Sequence, residues 1–305
     1  MATNRQFRIT VALLALFVAG SVYFVDHLDH KNTKIPANPS IAPIVSGFKQ
    51  AKAAEPEPVV TKSIEIVNKS LRVPVLMYHR VGIPPDAASM DLTVSPADFE
   101  AQVKYFKDLG YKTVSLQQVY DALTGTVQLP GKPIVFTFDD GYQDVFTNAV
   151  PILEKYGYFG TFAIATNLLG RPTYAVWDDV ITAVKLGMEI VSHTENHLDL
   201  SNPIYSEADL HREIFDSKKI LEQKLGTVIS FFVYPYGKYN YHVSELLVQA
   251  GYKMAFSTAY GIYLNSNNLL AEPRVRVHGQ NGLERLKLIF SPVPKPQTAP
   301  ALTNP

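Results

Sequence analysis

Cysteine is missing from all 305 residues. That excludes disulfide staples, thiolate nucleophiles, a lipid anchor on cysteine and cysteine-ligated zinc, while leaving the compartment open. Net charge is missing too. The 28 basic residues are matched by 28 acidic ones, so the whole chain carries no electrostatic footprint for nucleic acid. Disorder as a general state is excluded, because 47% of residues are hydrophobic and only 18% charged. No repeat recurs at a fixed short period, which argues against solenoids and propellers.

The N-terminus is the first feature that is present. Arg5 and Arg8 precede an uncharged, mostly apolar run from Ile9 to Val25, closed by Asp26. As a helix this run would be about 25 Å long, near the lower limit for crossing a bilayer. Basic residues ahead of it favour a cytoplasmic N-terminus and export of the rest of the chain. Tyr23 and Phe24 stand where a signal peptide would carry small residues. The expectation is an uncleaved single-pass anchor over residues 1–25 in the cell membrane, the rest of the chain facing the periplasm or exterior, with secretion after cleavage as the alternative. Residues 26–70 are rich in Pro and Ala and read as an extended linker, and 293–305 as a disordered tail.

Between them, 71–292 reads as one folded unit. RVPVLMYH, PIVFTF, GTFAIAT, MEIVSH, SFFVYP, KMAFST and RVRVH are short β-rich runs separated by helical patterns. Ser95-Pro96 with Asp98 opens one helix, which presents Phe99, Val103 and Phe106 on one face and stops at Gly110. Ser206 with Asp209 opens another, with Leu210, Ile214, Leu221 and Leu225 at helical spacing before Gly226. Such alternation argues for an α/β fold, and about seven strands in this length suit a parallel (β/α) barrel better than an open sheet.

In that class chemistry gathers at the C-terminal strand ends. Asp139 and Asp140 end one strand, His79 another, His193 a third with His197 four residues on, and Tyr236 and His278 end two more. Asp-Asp-Gly alone would be ordinary turn chemistry. Two histidines and one carboxylate, however, compose a zinc site that leaves a position for water, and the second carboxylate could take that water's proton.

FTFDDG and SHTENH, in this order and about 50 residues apart, resemble the first two motifs of the polysaccharide deacetylases, carbohydrate esterase family four. VYPYG at 233–237 is similar to the third, and YAVWDDV at 174–180 to the tryptophan-bearing segment before the histidine motif. The resemblance spans roughly 72–280. It implies a deformed (β/α) barrel and metal-dependent removal of N-acetyl groups from an amino-sugar polymer, with one divalent ion, zinc first.

By the same resemblance Asp139 is the general base, and Asp140, His193 and His197 are the metal ligands. Pro235 and Tyr236 match the third motif on the substrate side, where the tyrosine shapes the acetyl pocket and its backbone N–H helps hold the oxyanion. Trp177 reads as core or pocket wall, with a platform for a sugar ring as the alternative. Where many members carry arginine three residues before the tyrosine, this chain has Val233, and Arg274 in PRVRVHG is the substitute candidate for steering Asp139 at the substrate side. The usual late Leu-x-His motif is not clear. His79 in LMYH resembles a general acid moved to the first strand, as in the exopolysaccharide poly-N-acetylglucosamine deacetylases, with His278 as rival. The remaining alternatives are a peptidoglycan or acetyl-ester deacetylase on the same fold, or a carbohydrate-binding protein with a decayed site.

Overall fold

A computed structural model describes residues 69–291, apart from Thr126 and Asn281. The expected membrane segment, nearly all of the linker and the tail lie outside the described residues. Among the described residues no helix is long and apolar enough to cross a membrane.

Seven parallel strands form the centre: β1 Val75–Tyr78, β2 Pro133–Phe138, β3 Thr161–Ile164, β4 Glu189–Ser192, β5 Phe231–Val233, β6 Met254–Tyr260 and β7 Glu272–Arg276. Each pairs with the next in chain order. β7 returns to β1 with Val275 opposite Leu76 and Arg276 opposite Met77, so the ring closes. This is the barrel the strand runs predict.

Side chains alternate between two apolar layers, as the two-residue period of a strand requires. Leu76, Tyr78, Phe136, Phe138, Phe162 and Ile164 belong to the larger cluster, packed with helix residues such as Phe99, Val103 and Phe106. Their neighbours Val75, Val135, Ala163, Val191 and Val233 belong to a second cluster. Arg274 of β7 reaches Thr137 of β2 across the intervening β1, which shows that this second set faces the interior. The same parity carries His79, Asp139 and His193 inward at the ends of β1, β2 and β4.

Helices α1 Pro96–Asp108 and α2 Leu116–Leu123 come after β1, and α3 Val150–Lys155 after β2. α4 Trp177–Lys185 comes after β3, α5 Glu207–His211 and α6 Ser217–Leu225 after β4, and α7 Tyr241–Gln249 after β5. The Ser95 hydroxyl accepts the Asp98 amide, and Ser206 with Asp209 forms a reciprocal cap, as their spacing predicts. The single helix expected from 206 to 226 differs in one respect. A π-helical turn, Arg212–Asp216, separates α5 from α6, inserting a wider turn that directs Glu213 inward. A second deformation comes after β6, where the short strand Tyr263–Asn265 takes the place of a helix before β7, and α8 Gly282–Phe290 lies beyond it.

Candidate active site

The strand ends open into a cavity of about 530 Å³. His79, Asp139, Asp140, His193, His197 and Tyr236 all line it, which brings together residues 157 positions apart in sequence (236 minus 79).

Adjacent acids take different directions because Asp140 is left-handed, at φ +76, a conformation Asp tolerates better than most residues. Asp139 continues the inward parity of β2 and meets Arg274. The fully buried guanidinium gives one N–H to each Asp139 oxygen, at 2.8 and 2.7 Å, one to Thr137 Oγ1 at 3.0 Å, and its Nε–H to the Ser257 carbonyl at 3.0 Å. Burial alone would raise the Asp139 carboxyl. The charge and paired hydrogen bonds of Arg274 outweigh that and hold it below the ordinary carboxylate value.

Asp140 Oδ1 lies 3.2 Å from His193 Nε2 and 3.1 Å from His197 Nε2. His193 Nδ1 lies 2.7 Å from the Val233 carbonyl, so Nδ1 carries a proton and Nε2 is the nitrogen left facing the carboxylate. Acceptors facing one another need a cation between them, either a proton or a metal. Asp140 Oδ1 is buried and has no hydrogen-bond partner of proper geometry, and one ligand atom from each of the three residues lies within 4.8 Å of the others. The donor set therefore fits a divalent ion. Burial opposes ionisation of Asp140, yet the two imidazoles hold its carboxyl well below the usual range.

The VYPYG turn brings in Tyr236, left-handed at φ +58, with its ring edge-on to His197 at 4.7 Å between centroids. Gly237 is required behind it. A Cβ there would stand 2.2 Å from the Thr258 hydroxyl and 2.4 Å from its amide. His79 is half-buried in the cavity, and burial lowers its imidazole below the ordinary value, against the attraction of Asp139 and Asp140. His278 lies outside this cavity, with Nδ1 2.9 Å from Asp91.

Of the three further substrate-side candidates, Trp177 and Pro235 stand away from the cavity lining, and Arg274 meets Asp139. Trp177 opens α4, packs on the outer core cluster and lies under Lys224 at 5.6 Å, so it does not line the cavity. Arg274 is fully engaged by Asp139 and its neighbours, and faces the acid rather than the cavity. Pro235 is buried at the start of the turn that carries Tyr236. The wall positions belong instead to Tyr142 and Tyr174, stacked at 4.8 Å, with Arg80 over the Tyr142 ring at 3.9 Å. Tyr142 stands inside FTFDDGYQD, but a lone tyrosine after a turn signals nothing by itself. Glu213, buried beside the histidine loop, had a signal: a charge one helical turn from Leu210 on its buried face.

The polysaccharide deacetylase family model matches residues 126–255. A Bacillus subtilis protein carrying the polysaccharide deacetylase name, YxkH, is 30% identical over 209 residues, covering 68% of this chain and 72% of that protein. The chain belongs to the polysaccharide deacetylases. It is thus a hydrolase of carbon–nitrogen bonds other than peptide bonds. The poly-beta-1,6-N-acetyl-D-glucosamine N-deacetylase of Escherichia coli K12 is 27% identical over 234 residues, 63% of this chain, and the match spans only 35% of that protein's length. Among solved structures, the Streptococcus pyogenes deacetylase PplD in complex with acetate superposes with a TM-score of 0.68 at 30% identity, covering 73% of this chain and all of that one. The family match ends before Arg274 and begins after His79, so those two residues rest on the geometry of this chain.

Proposed function

We propose that this protein removes acetyl groups from the acetamido substituents of an N-acetylglucosamine-containing polysaccharide, using one divalent ion, zinc first. One observation carries the reading: an Asp-His-His set suited to a metal shares a cavity with an arginine-held carboxylate and a half-buried histidine. The relative from Escherichia coli named for poly-N-acetylglucosamine supports the substrate class.

Bound by Asp140, His193 and His197, the ion would supply Lewis acidity and lower the pKa of water at the site. Asp139 takes the proton of the attacking water. Its carboxylate is suited to this because Arg274 keeps it ionised and fixed through two hydrogen bonds. The Tyr236 backbone N–H stabilises the developing oxyanion, with the ring closing one side of the acetyl pocket. His79 protonates the departing amine, since expulsion of an amide anion is prohibitive. Burial makes its imidazolium a stronger acid than free histidine, which favours that transfer. The geometry supports His79 over His278 because, of the two, His79 alone lines the cavity. The apolar run at 9–25 supports an envelope location, tested by fractionation of cells and protease access.

The deciding assay is acetate release by the purified, zinc-loaded chain from poly-N-acetylglucosamine, chitin oligomers, peptidoglycan and a simple acetate ester. Highest kcat/KM on a glucosamine polymer is expected. Release confined to peptidoglycan or the ester would overturn the substrate assignment, and no release from any would overturn the enzymatic reading of the site.

A further inference from the structure

The two histidines of the cluster are held in different ways. His193 continues β4. Its amide donates to the Ile164 carbonyl at 2.9 Å, and its Nδ1–H is fixed by the Val233 carbonyl at 2.7 Å. His197 comes at the end of a short excursion in which Thr194 and His197 itself are left-handed, at φ +72 and +60. Neither residue is glycine, so each adopts this conformation at a cost that the surroundings must offset. Among the described residues no hydrogen bond fixes the second ring nitrogen of His197. Its placement therefore depends on the backbone of the loop.

That backbone is tied down from two sides. From the barrel, Thr166 and Asn167 donate their amides to the Thr194 and Glu195 carbonyls at 3.1 and 2.8 Å. From the helical side, the tie is one buried carboxylate. Glu213, 2% exposed on the π-helical turn, accepts the Glu195 amide at 3.1 Å and the Asn196 amide at 2.8 Å through Oε2. Its Oε1 accepts the Asn196 side-chain N–H at 2.7 Å. Successive backbone N–H groups converging on one anion form a concavity of the kind that binds phosphate or carboxylate. Here the anion is supplied by the chain. His197 N–H then closes onto Thr194 Oγ1 at 2.9 Å.

We infer that Glu213 is a positioning residue for metal binding: its carboxylate fills the backbone concavity at Glu195 and Asn196, and so presents His197 Nε2 to the ion. It acts on His197 through the loop as the Val233 carbonyl acts directly on His193. The inference rests on the metal reading of Asp140, His193 and His197 and goes beyond it, because Glu213 touches no ligand atom. Its π-helical turn also gains a reason. An unbroken α-helix from α5 into α6 would carry residue 213 at a different angle, and the wider turn aims the carboxylate at the loop.

The test is zinc affinity, measured on the full chain by competition with a chromophoric chelator at fixed pH, with circular dichroism melting of the metal-free protein alongside. Loss of a group that orients a metal ligand typically costs about 10- to 100-fold in affinity. Glu213→Ala is expected in that range. Glu213→Gln, which keeps the shape and one oxygen for the amides but turns an N–H toward the Asn196 side-chain donor, is expected to weaken zinc binding several-fold, between Ala and the parent. Leu221→Ala serves as the structural comparison. It is equally buried, further along α6, and packs in the core cluster. It should lower the melting temperature without moving zinc affinity. Should Glu213→Ala not fold, the Gln variant decides, since a several-fold weakening supports the inference and parental affinity overturns it. Parental affinity in a folded Glu213→Ala also overturns it. A parent chain that binds no zinc would instead overturn the metal reading beneath it.

Discussion

Replacing Arg274 by methionine removes four hydrogen-bond donations and the guanidinium that faces Asp139, while keeping much of the side chain's length. Its side chain is fully buried and that of Asp139 is 3% exposed, so water cannot take over the lost contacts. Breaking one side of a buried ion pair costs about 3–5 kcal/mol. For a domain of this size each kcal/mol lowers Tm by roughly 2–4 °C, which puts the expected drop at about 6–20 °C. Chemistry should suffer separately. Burial, no longer countered by Arg274, raises the Asp139 carboxyl, so the acid limb of kcat/KM against pH moves to higher pH. Stability carries its own pH signature. Because the folded carboxyl titrates below its unfolded value of about 3.9, the pair stabilises the fold above that pH and loses this as pH falls through the folded value. Arg274→Met should lack that acid-side decline. Arg274→Lys, which keeps charge but not the two-pronged geometry, should fall between. Thermal scans from pH 3 to 8 and pH–rate profiles make the check. A variant with parental Tm and an unmoved acid limb would refute the account of Asp139.

The two acids should separate in a metal assay: Asp139→Asn retains zinc while losing about 10²- to 10⁴-fold in kcat, whereas Asp140→Asn, stripped of the one anionic ligand in the cluster, loses zinc. His79→Ala should cost a similar factor with zinc retained and flatten the alkaline limb, which sits below the ordinary histidine value because of burial. His278→Ala should leave that limb in place, and the reverse pattern would reassign the acid. Glu272, pushed up from 4.5 to about 8 by burial, is protonated in the fold but ionised in the unfolded chain between those two values. Parental stability should therefore decline across that window, by something on the order of a few kcal/mol, relative to Glu272→Gln. Parallel stability curves for the two proteins would count against it.

How much of this was legible beforehand depended on whether the signal was local. Runs such as PIVFTF and GTFAIAT declare buried strands because both faces of each strand are covered, and all seven form. The inward parity of His79, Asp139 and His193 comes from the same two-residue period. Ser95 and Ser206 announce their helices because a cap is a contact between residues three apart. The illegible features need distance. Nothing local to Arg274 pairs it with an acid 135 residues earlier; the resemblance alone names it for steering Asp139, and its guanidinium meets both carboxylate oxygens. Trp177 sits just beyond a segment that does reach the cavity at Tyr174, but a helix start turns it onto the core. The π-helical turn was hidden because its apolar spacing differs from that of an α-helix by a single residue.

The span of the Asp139–Arg274 pair bears on when the molecule becomes competent. β2, which carries both acids, and β4, which carries the histidines, emerge in sequence well before β7. The metal cluster and the groups that hold its histidines end with β5, whose Val233 carbonyl fixes His193, whereas Asp139 receives its partner when the seventh strand docks against the first. Contacts of such separation form late and slowly relative to neighbouring ones. Metal affinity and turnover should thus be acquired at different times during refolding, with turnover appearing only as the ring shuts. A chain shortened to 126–255 would keep both acids and both histidines and yet leave the carboxylate without its counter-charge. In this barrel, catalysis reports closure.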